Sequence, residues 1–134
     1  MRLAEKGHYA PPPVLAPPHA EELSRKLASW PNVHVRTHWR LGDETVVDGA
    51  DFYVGEEELG HLHLDGEAHV AVGRVLREVL VMRHAACAFE WSEEFVKWSV
   101  TSDDDRAHAE WLFSLRYAVL TGASEKELSA DMAL

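Results

Sequence analysis

Three histidines and a glutamate occupy alternating positions in residues 60–72, whose sequence is GHLHLDGEAHVAV. His61, His63, Glu67 and His69 share one face of a predicted hairpin because successive strand residues point to opposite faces of a sheet. The apolar residues take the other face: Leu62, Leu64, Ala68, Val70 and Val72. The pattern therefore predicts a β-hairpin with imidazoles on one side and a buried apolar surface on the other.

The hydrophobic pattern also selects the register of this hairpin. A two-residue loop would place Leu62 opposite His69 and mix polar with apolar side chains. A three-residue loop at 64–66 places Leu62 opposite Ala68 and His61 opposite His69, which keeps the two faces separate. Directly opposed side chains have Cβ atoms about 4.5–5.5 Å apart. His61 and His69 are thus predicted to lie close enough to share one ligand.

Such a cluster has two possible chemical uses. Neutral imidazole binds zinc and other first-row transition metals, and three protein ligands with an open position are typical of catalytic zinc. We predict His61, His63 and His69 as metal ligands, with His84, after the following helix, as a further ligand-binding residue. The same face could instead hold a small polar ligand without a metal.

The sequence leaves open whether the protein is an enzyme. In the enzymatic interpretation, Glu58 or Glu67 orients the histidines or acts as a base, His84 is a third catalytic candidate, and the reaction is a hydrolysis. In the alternative, the protein is a non-catalytic interaction module, such as a homodimer, and its histidines are structural. An open cleft over the histidine face favours the first interpretation, whereas a helix or second subunit covering it favours the second.

Over about residues 54–122 the chain resembles a family of small proteins labelled "luciferase domain" or "luciferase family". The resemblance rests on ELGHLH at 58–63, EAHV at 67–70 and RH at 83–84. The family label does not imply light emission. The resemblance implies that five residues of this chain match the family pattern: Glu58, His61, His63, His69 and His84.

Composition limits the class of protein. A chain of 134 residues with 46% apolar residues is long enough for one domain with a packed core. Its net charge of −10 argues against nucleic acid or an anionic membrane as the main partner. No apolar run approaches the ~20 residues of a membrane span, and no signal peptide is visible, so we expect a cytoplasmic protein. Cys87 lies in an apolar run, which predicts a buried, inert thiol.

The chain is predicted to have three parts. Residues 1–18 contain APPPVLAPP and form an extended arm, either a tether along the domain surface or a ligand for a proline-binding domain. We expect deletion of residues 1–14 to leave the fold intact. Residues 19–122 form a single α+β domain, and residues 123–134 form a short C-terminal helix.

Periodicity predicts a single antiparallel β-sheet of about five strands with flanking helices, in the order α-β-β-β-β-α-β-α. Ser102 reads as the N-cap of the long last helix of the domain, on which Trp111 belongs to the inward-facing stripe. The other predicted elements are a helix over 19–30, strands over 33–40, 45–47 and 50–54, the histidine hairpin, a helix over 73–82 and a strand over 95–101.

Overall fold

The structure, a computed structural model, describes residues 3–132 and has the predicted α+β fold. The ends of the predicted arm and C-terminal helix, residues 1–2 and 133–134, lie outside the described residues. The strands are β1 (Val33–Arg40), β2 (Asp43–Val54), β3 (Glu57–His63), β4 (Glu67–Val70), β5 (Cys87–Ala88) and β6 (Val96–Ser99). The helices are α1 (Pro18–Ala28), α2 (Arg74–Met82), α3 (Asp103–Leu120) and α4 (Glu125–Met132), preceded by a 3-10 turn at Leu3–Glu5.

The strands form one antiparallel sheet in the order β1-β2-β3-β4-β6-β5. It has six strands rather than about five, because the two-residue β5 was not predicted. No helix within residues 3–132 is long and apolar enough to cross a membrane. The histidine hairpin, β3 and β4, lies in the interior of the sheet with neighbours on both sides.

The predicted register of the hairpin is confirmed. His61 pairs with His69, and Leu62 pairs with Ala68. The turn is tight because Gly66 adopts a φ of 92°, which glycine accepts without a steric penalty, and its N–H donates to the carbonyl of His63 at 3.0 Å. The odd loop therefore separates the histidine face from the apolar face.

The apolar face of the hairpin forms the core together with α1 and α3. Leu62, Val70 and Val72 are fully buried, and so are Leu23 and Leu27 of α1, as the helical pattern predicted. Leu64 shares the parity of Leu62 but is 43% exposed, because it belongs to the turn.

The predicted inward stripe of α3 is right for Leu115, which is buried, and wrong for Trp111. Trp111 is exposed, whereas Leu112 and Phe113 are buried. Phe113 packs edge-on against Phe52, with ring centroids 6.0 Å apart, and fills the space left by Gly60, where a Cβ would lie 2.8 Å from Phe113 Cε1. This contact sets the rotation of the helix.

The predicted cap of α3 is confirmed. Ser102 directly precedes the helix, and its hydroxyl accepts a hydrogen bond from the Asp105 N–H at 3.0 Å.

The predicted turn at residues 48–49 is absent, because β2 is one continuous strand with a register shift beside Gly49. A Cβ on Gly49 would lie 1.9 Å from the carbonyl oxygen of Leu62, so glycine permits close approach of β2 and β3 rather than a reversal of the chain. Gly49 pairs with His38 on one side and His63 on the other. Two histidines therefore flank a position that has no side chain.

The expectation of a buried thiol is also wrong. Cys87 is exposed, because β5 is a two-residue strand at the outer edge of the sheet.

The N-terminal arm packs along β1, the other edge of the sheet. Carbonyls of the arm accept hydrogen bonds from this strand: Gly7 from Arg36 Nη2, His8 from Trp39 Nε1 and Ala10 from the Thr37 N–H. The Lys6 side chain turns inward, and its Nζ lies 3.4 Å from Asp51 Oδ1 and 3.4 Å from Glu58 Oε1. Because of these contacts, we now expect deletion of the arm to destabilise the fold rather than to leave it intact.

Leu62→Ala should lower the free energy of unfolding by about 2–5 kcal/mol, because it leaves a cavity in the core. Leu64→Ala removes the same atoms from a partly exposed turn and should cost about 0.5 kcal/mol or less. Chemical denaturation measures both values. Equal costs for the two variants would contradict the assignment of the faces.

Deleting residues 1–14 should lower the melting temperature of the metal-free protein substantially, because Asp51 and Glu58 would remain buried without the Lys6 ammonium. His8→Ala is the control, since the His8 side chain is exposed and pairs with the exposed Glu44. Thermal unfolding followed by circular dichroism makes the comparison. A truncated protein as stable as His8→Ala would show that the arm is a passive tether.

Candidate metal centre

Four histidines from three strands lie together on the sheet face opposite the core. They are His38 of β1, His61 and His63 of β3 and His69 of β4. The ring centroids of His61, His63 and His69 lie 5.0, 4.9 and 4.4 Å apart pairwise. The structure therefore brings together the three histidines that the sequence predicted and adds a fourth.

The inner nitrogens of His61 and His63 both lie close to the inner nitrogen of His69. His61 Nε2 lies 3.1 Å from His69 Nδ1, and His63 Nε2 lies 3.3 Å from the same atom. A tetrahedral zinc ion with Zn–N bonds of about 2.0–2.1 Å separates its ligand nitrogens by about 3.3–3.4 Å. The three rings are inclined to one another by 72°, 60° and 59°. Two of the nitrogen–nitrogen separations are thus close to those of a tetrahedral zinc site, and the rings approach from different directions.

A carboxylate lies beside the outer nitrogen of each of these rings. The pairs are Glu58 Oε2 with His61 Nδ1 at 2.9 Å, Asp48 Oδ2 with His63 Nδ1 at 3.2 Å, and Glu67 Oε1 with His69 Nε2 at 2.6 Å. An ionised carboxylate only accepts hydrogen bonds, so it favours the tautomer with the proton on the outer nitrogen. The inner nitrogens then carry lone pairs, as in the carboxylate–histidine–metal arrangements of known metal sites.

His38 belongs to the cluster but is poorly placed to share the same ion. The donor atoms of His38, His61 and His63 lie within 4.8 Å of one another. However, His38 stacks on His61 with ring centroids 4.1 Å apart and planes only 10° from parallel. A metal lies close to the plane of the imidazole that binds it, and two stacked parallel rings cannot both hold one ion in their planes. We therefore take His61, His63 and His69 as the candidate ligand set.

Burial sets the charge states behind the centre. Burial lowers the pKa of His61 to about 3, although its hydrogen bond to Glu58 acts in the opposite direction. Burial would raise the pKa of Glu58, but the hydrogen bond from His61 and the nearby charge of Lys6 outweigh it and bring that pKa to about 2. A neutral His61 still donates its Nδ1–H, so the imidazole stays neutral beside an ionised carboxylate. Burial and then His69 lower the pKa of His63.

Solvent reaches the cluster from one side. His61 and His69 are buried, and Phe95 and Phe89 contact them with centroid distances of 5.9 and 4.6 Å. His63 is only partly buried, beside the partly exposed carboxylates of Asp48 and Glu67. The cover over this face is therefore the arm and the loop that carries the phenylalanines, with an opening at the hairpin turn.

The structure does not bring His84 to this cluster. His84 follows α2, is exposed, and adopts a left-handed backbone with a φ of 58°. Among residues 3–132, no hydrogen bond or ring contact joins its side chain to the other histidines. The catalytic candidates Glu58 and Glu67 do belong to the cluster, through His61 and His69 respectively.

The sequence missed several members of the site. The alternation of β1 placed His38 on the polar face, but nothing local indicated its register against β2. Asp48 was assigned to a turn. Lys6 and Asp51 are separated by about a third of the chain, and no sequence pattern links them.

No family model, curated protein or solved structure matches this chain. The resemblance to the luciferase-domain family therefore stays a prediction, and the assignment of the centre depends on its geometry.

Glu58→Gln should lower the free energy of unfolding of the metal-free protein by about 3–5 kcal/mol, because it removes one partner from a buried charged network. Glu67→Gln makes the same chemical change at a partly exposed carboxylate and should cost about 1 kcal/mol or less. Urea unfolding in the presence of a chelator measures both. A smaller cost for Glu58→Gln than for Glu67→Gln would contradict the role given to the buried network.

Proposed function

We propose that this protein binds one divalent transition metal ion, such as zinc, through His61 Nε2, His63 Nε2 and His69 Nδ1. The observation that carries the proposal is the approach of His61 Nε2 and His63 Nε2 to His69 Nδ1, at 3.1 and 3.3 Å, with a carboxylate beside the outer nitrogen of each ring. Nitrogen ligands of this kind suit zinc, copper, nickel and iron.

A metal accounts for this arrangement better than a purely structural role. With the outer nitrogens protonated, the lone pair of His69 Nδ1 faces those of His61 Nε2 and His63 Nε2 in a partly buried space. One added proton can bridge a single pair of nitrogens and leaves the third without a donor within the triad. A metal ion accepts all three lone pairs, so it removes the penalty for burying unpaired polar atoms.

We further propose metal-assisted hydrolysis as the class of reaction. Three protein ligands leave a fourth tetrahedral position for water, and a metal lowers the pKa of the water that it binds. Solvent access on the side of His63 supports this assignment. Glu67 and Glu58 contact the outer nitrogens of His69 and His61, which suits both carboxylates to orient these rings.

Zinc should raise the melting temperature of untagged protein, and the rise should grow with free zinc, because a ligand that binds only the folded state stabilises it by mass action. At a free concentration of 100 times Kd the gain is about 2.7 kcal/mol. His63→Ala should remove most of the shift. His34 is exposed and lies on the same face of β1 as His38, outside the candidate ligand set. His34→Ala should therefore retain the full shift in melting temperature.

The protein is first stripped with a chelator, and thermal unfolding is then followed at several zinc concentrations for the three proteins. A wild-type melting temperature that does not respond to zinc would contradict the proposal, as would equal shifts in His63→Ala and His34→Ala.

A further inference from the structure

A buried ammonium group lies directly behind the proposed metal centre. Lys6 Nζ lies 3.4 Å from Asp51 Oδ1 and 3.4 Å from Glu58 Oε1, and the Lys6 side chain is only 7% exposed. Both carboxylates are buried. The N-terminal arm thus places a positive charge between two buried carboxylates.

The ammonium fits this position loosely. Charge-assisted N–H···O hydrogen bonds are about 2.7–2.9 Å long, and both ion-pair distances of Lys6 are longer. Asp51 Oδ1 is buried and forms no hydrogen bond of good geometry within the described part of the chain, although His38 Nδ1 lies 2.8 Å away. A buried carboxylate oxygen that lacks a well-formed hydrogen bond indicates a position that suits a cation of higher charge than the Lys6 ammonium, bound at a shorter distance.

The donors around this position form a ligand set. One donor atom each from Asp51, Glu58 and His61 lies within 4.8 Å of the others. Two carboxylates and an imidazole suit zinc or manganese. His61 faces this position with Nδ1, which lies 2.9 Å from Glu58 Oε2 and 3.8 Å from Asp51 Oδ1. Its Nε2 faces the three-histidine centre.

We infer that Asp51, Glu58 and the Nδ1 side of His61 form a second cation position, which the Lys6 ammonium fills in this structure and a divalent metal fills when the arm is displaced. A metal there replaces the ammonium and the Nδ1 proton of His61, which passes to solvent. The inference rests on the proposed function, because His61 would serve both positions. Lys6 then keeps the centre mononuclear, and release of the arm makes it dinuclear.

Metal stoichiometry tests this inference. Each protein is stripped, equilibrated with zinc, freed of excess metal and analysed for zinc per folded chain. The wild type should hold one equivalent and Lys6→Met two. Lys6→Arg keeps the cation and should hold one. Lys97→Met is the matched control. Lys97 of β6 lies opposite His69 of β4, and its Nζ lies 3.6 Å from Glu90 rather than beside Asp51 or Glu58, so this variant should also hold one.

Equal stoichiometry in wild type and Lys6→Met would overturn the inference, as would a second equivalent in Lys97→Met. No zinc in the wild type with one equivalent in Lys6→Met would contradict the proposed function and support the second position. If Lys6→Met folds only in the presence of zinc, the zinc bound per chain is measured after refolding with zinc. Two equivalents would support the inference, and one would overturn it. Adding Asp51→Asn to Lys6→Met should return the value to one.

Discussion

A neutral imidazole has one N–H and one lone pair, and this limit governs the polar face of the sheet. Carboxylates occupy the outer sides of His61, His63 and His69, so the protons belong there and the lone pairs point inward. The lone pair of His69 Nδ1 then faces those of His61 Nε2 and His63 Nε2 at hydrogen-bonding distance, which is costly to bury without a cation. Behind His61, Glu58 links this arrangement to the buried Lys6 and so to the N-terminal arm.

The sheet supplies the precision that such a cluster needs. The three-residue loop aligns His61 with His69, and the lack of a side chain at Gly49 allows His38 and His63 to approach across β2. On the opposite face, Gly60 makes room for Phe113 and locks the hairpin against α3. Packing on the apolar side therefore fixes the positions of the imidazoles on the polar side, and a substitution in the core would also disturb the cluster.

Local patterns predicted the hairpin, its register and its three histidines, because parity and turn length are read within a dozen residues. They failed where structure depends on distant contacts. His38 was missed because register shifts near the end of β1 decide what it faces. Lys6 was missed because an arm rich in proline gives no periodic signal. His84 was included because it follows α2, yet the chain turns it outward there. Trp111 was assigned to the core from the helical spacing of apolar residues in α3. The prediction failed because the packing of Phe113 sets the rotation of that helix.

X-ray absorption at the zinc edge of the loaded wild-type protein tests the central claim most directly. The account predicts three nitrogen ligands at about 2.0–2.1 Å, with the outer-shell scattering of imidazole rings, and one oxygen ligand from solvent. A coordination shell made mainly of carboxylate oxygens, or one with fewer than three imidazoles, would contradict the assignment of His61, His63 and His69 as the metal ligands.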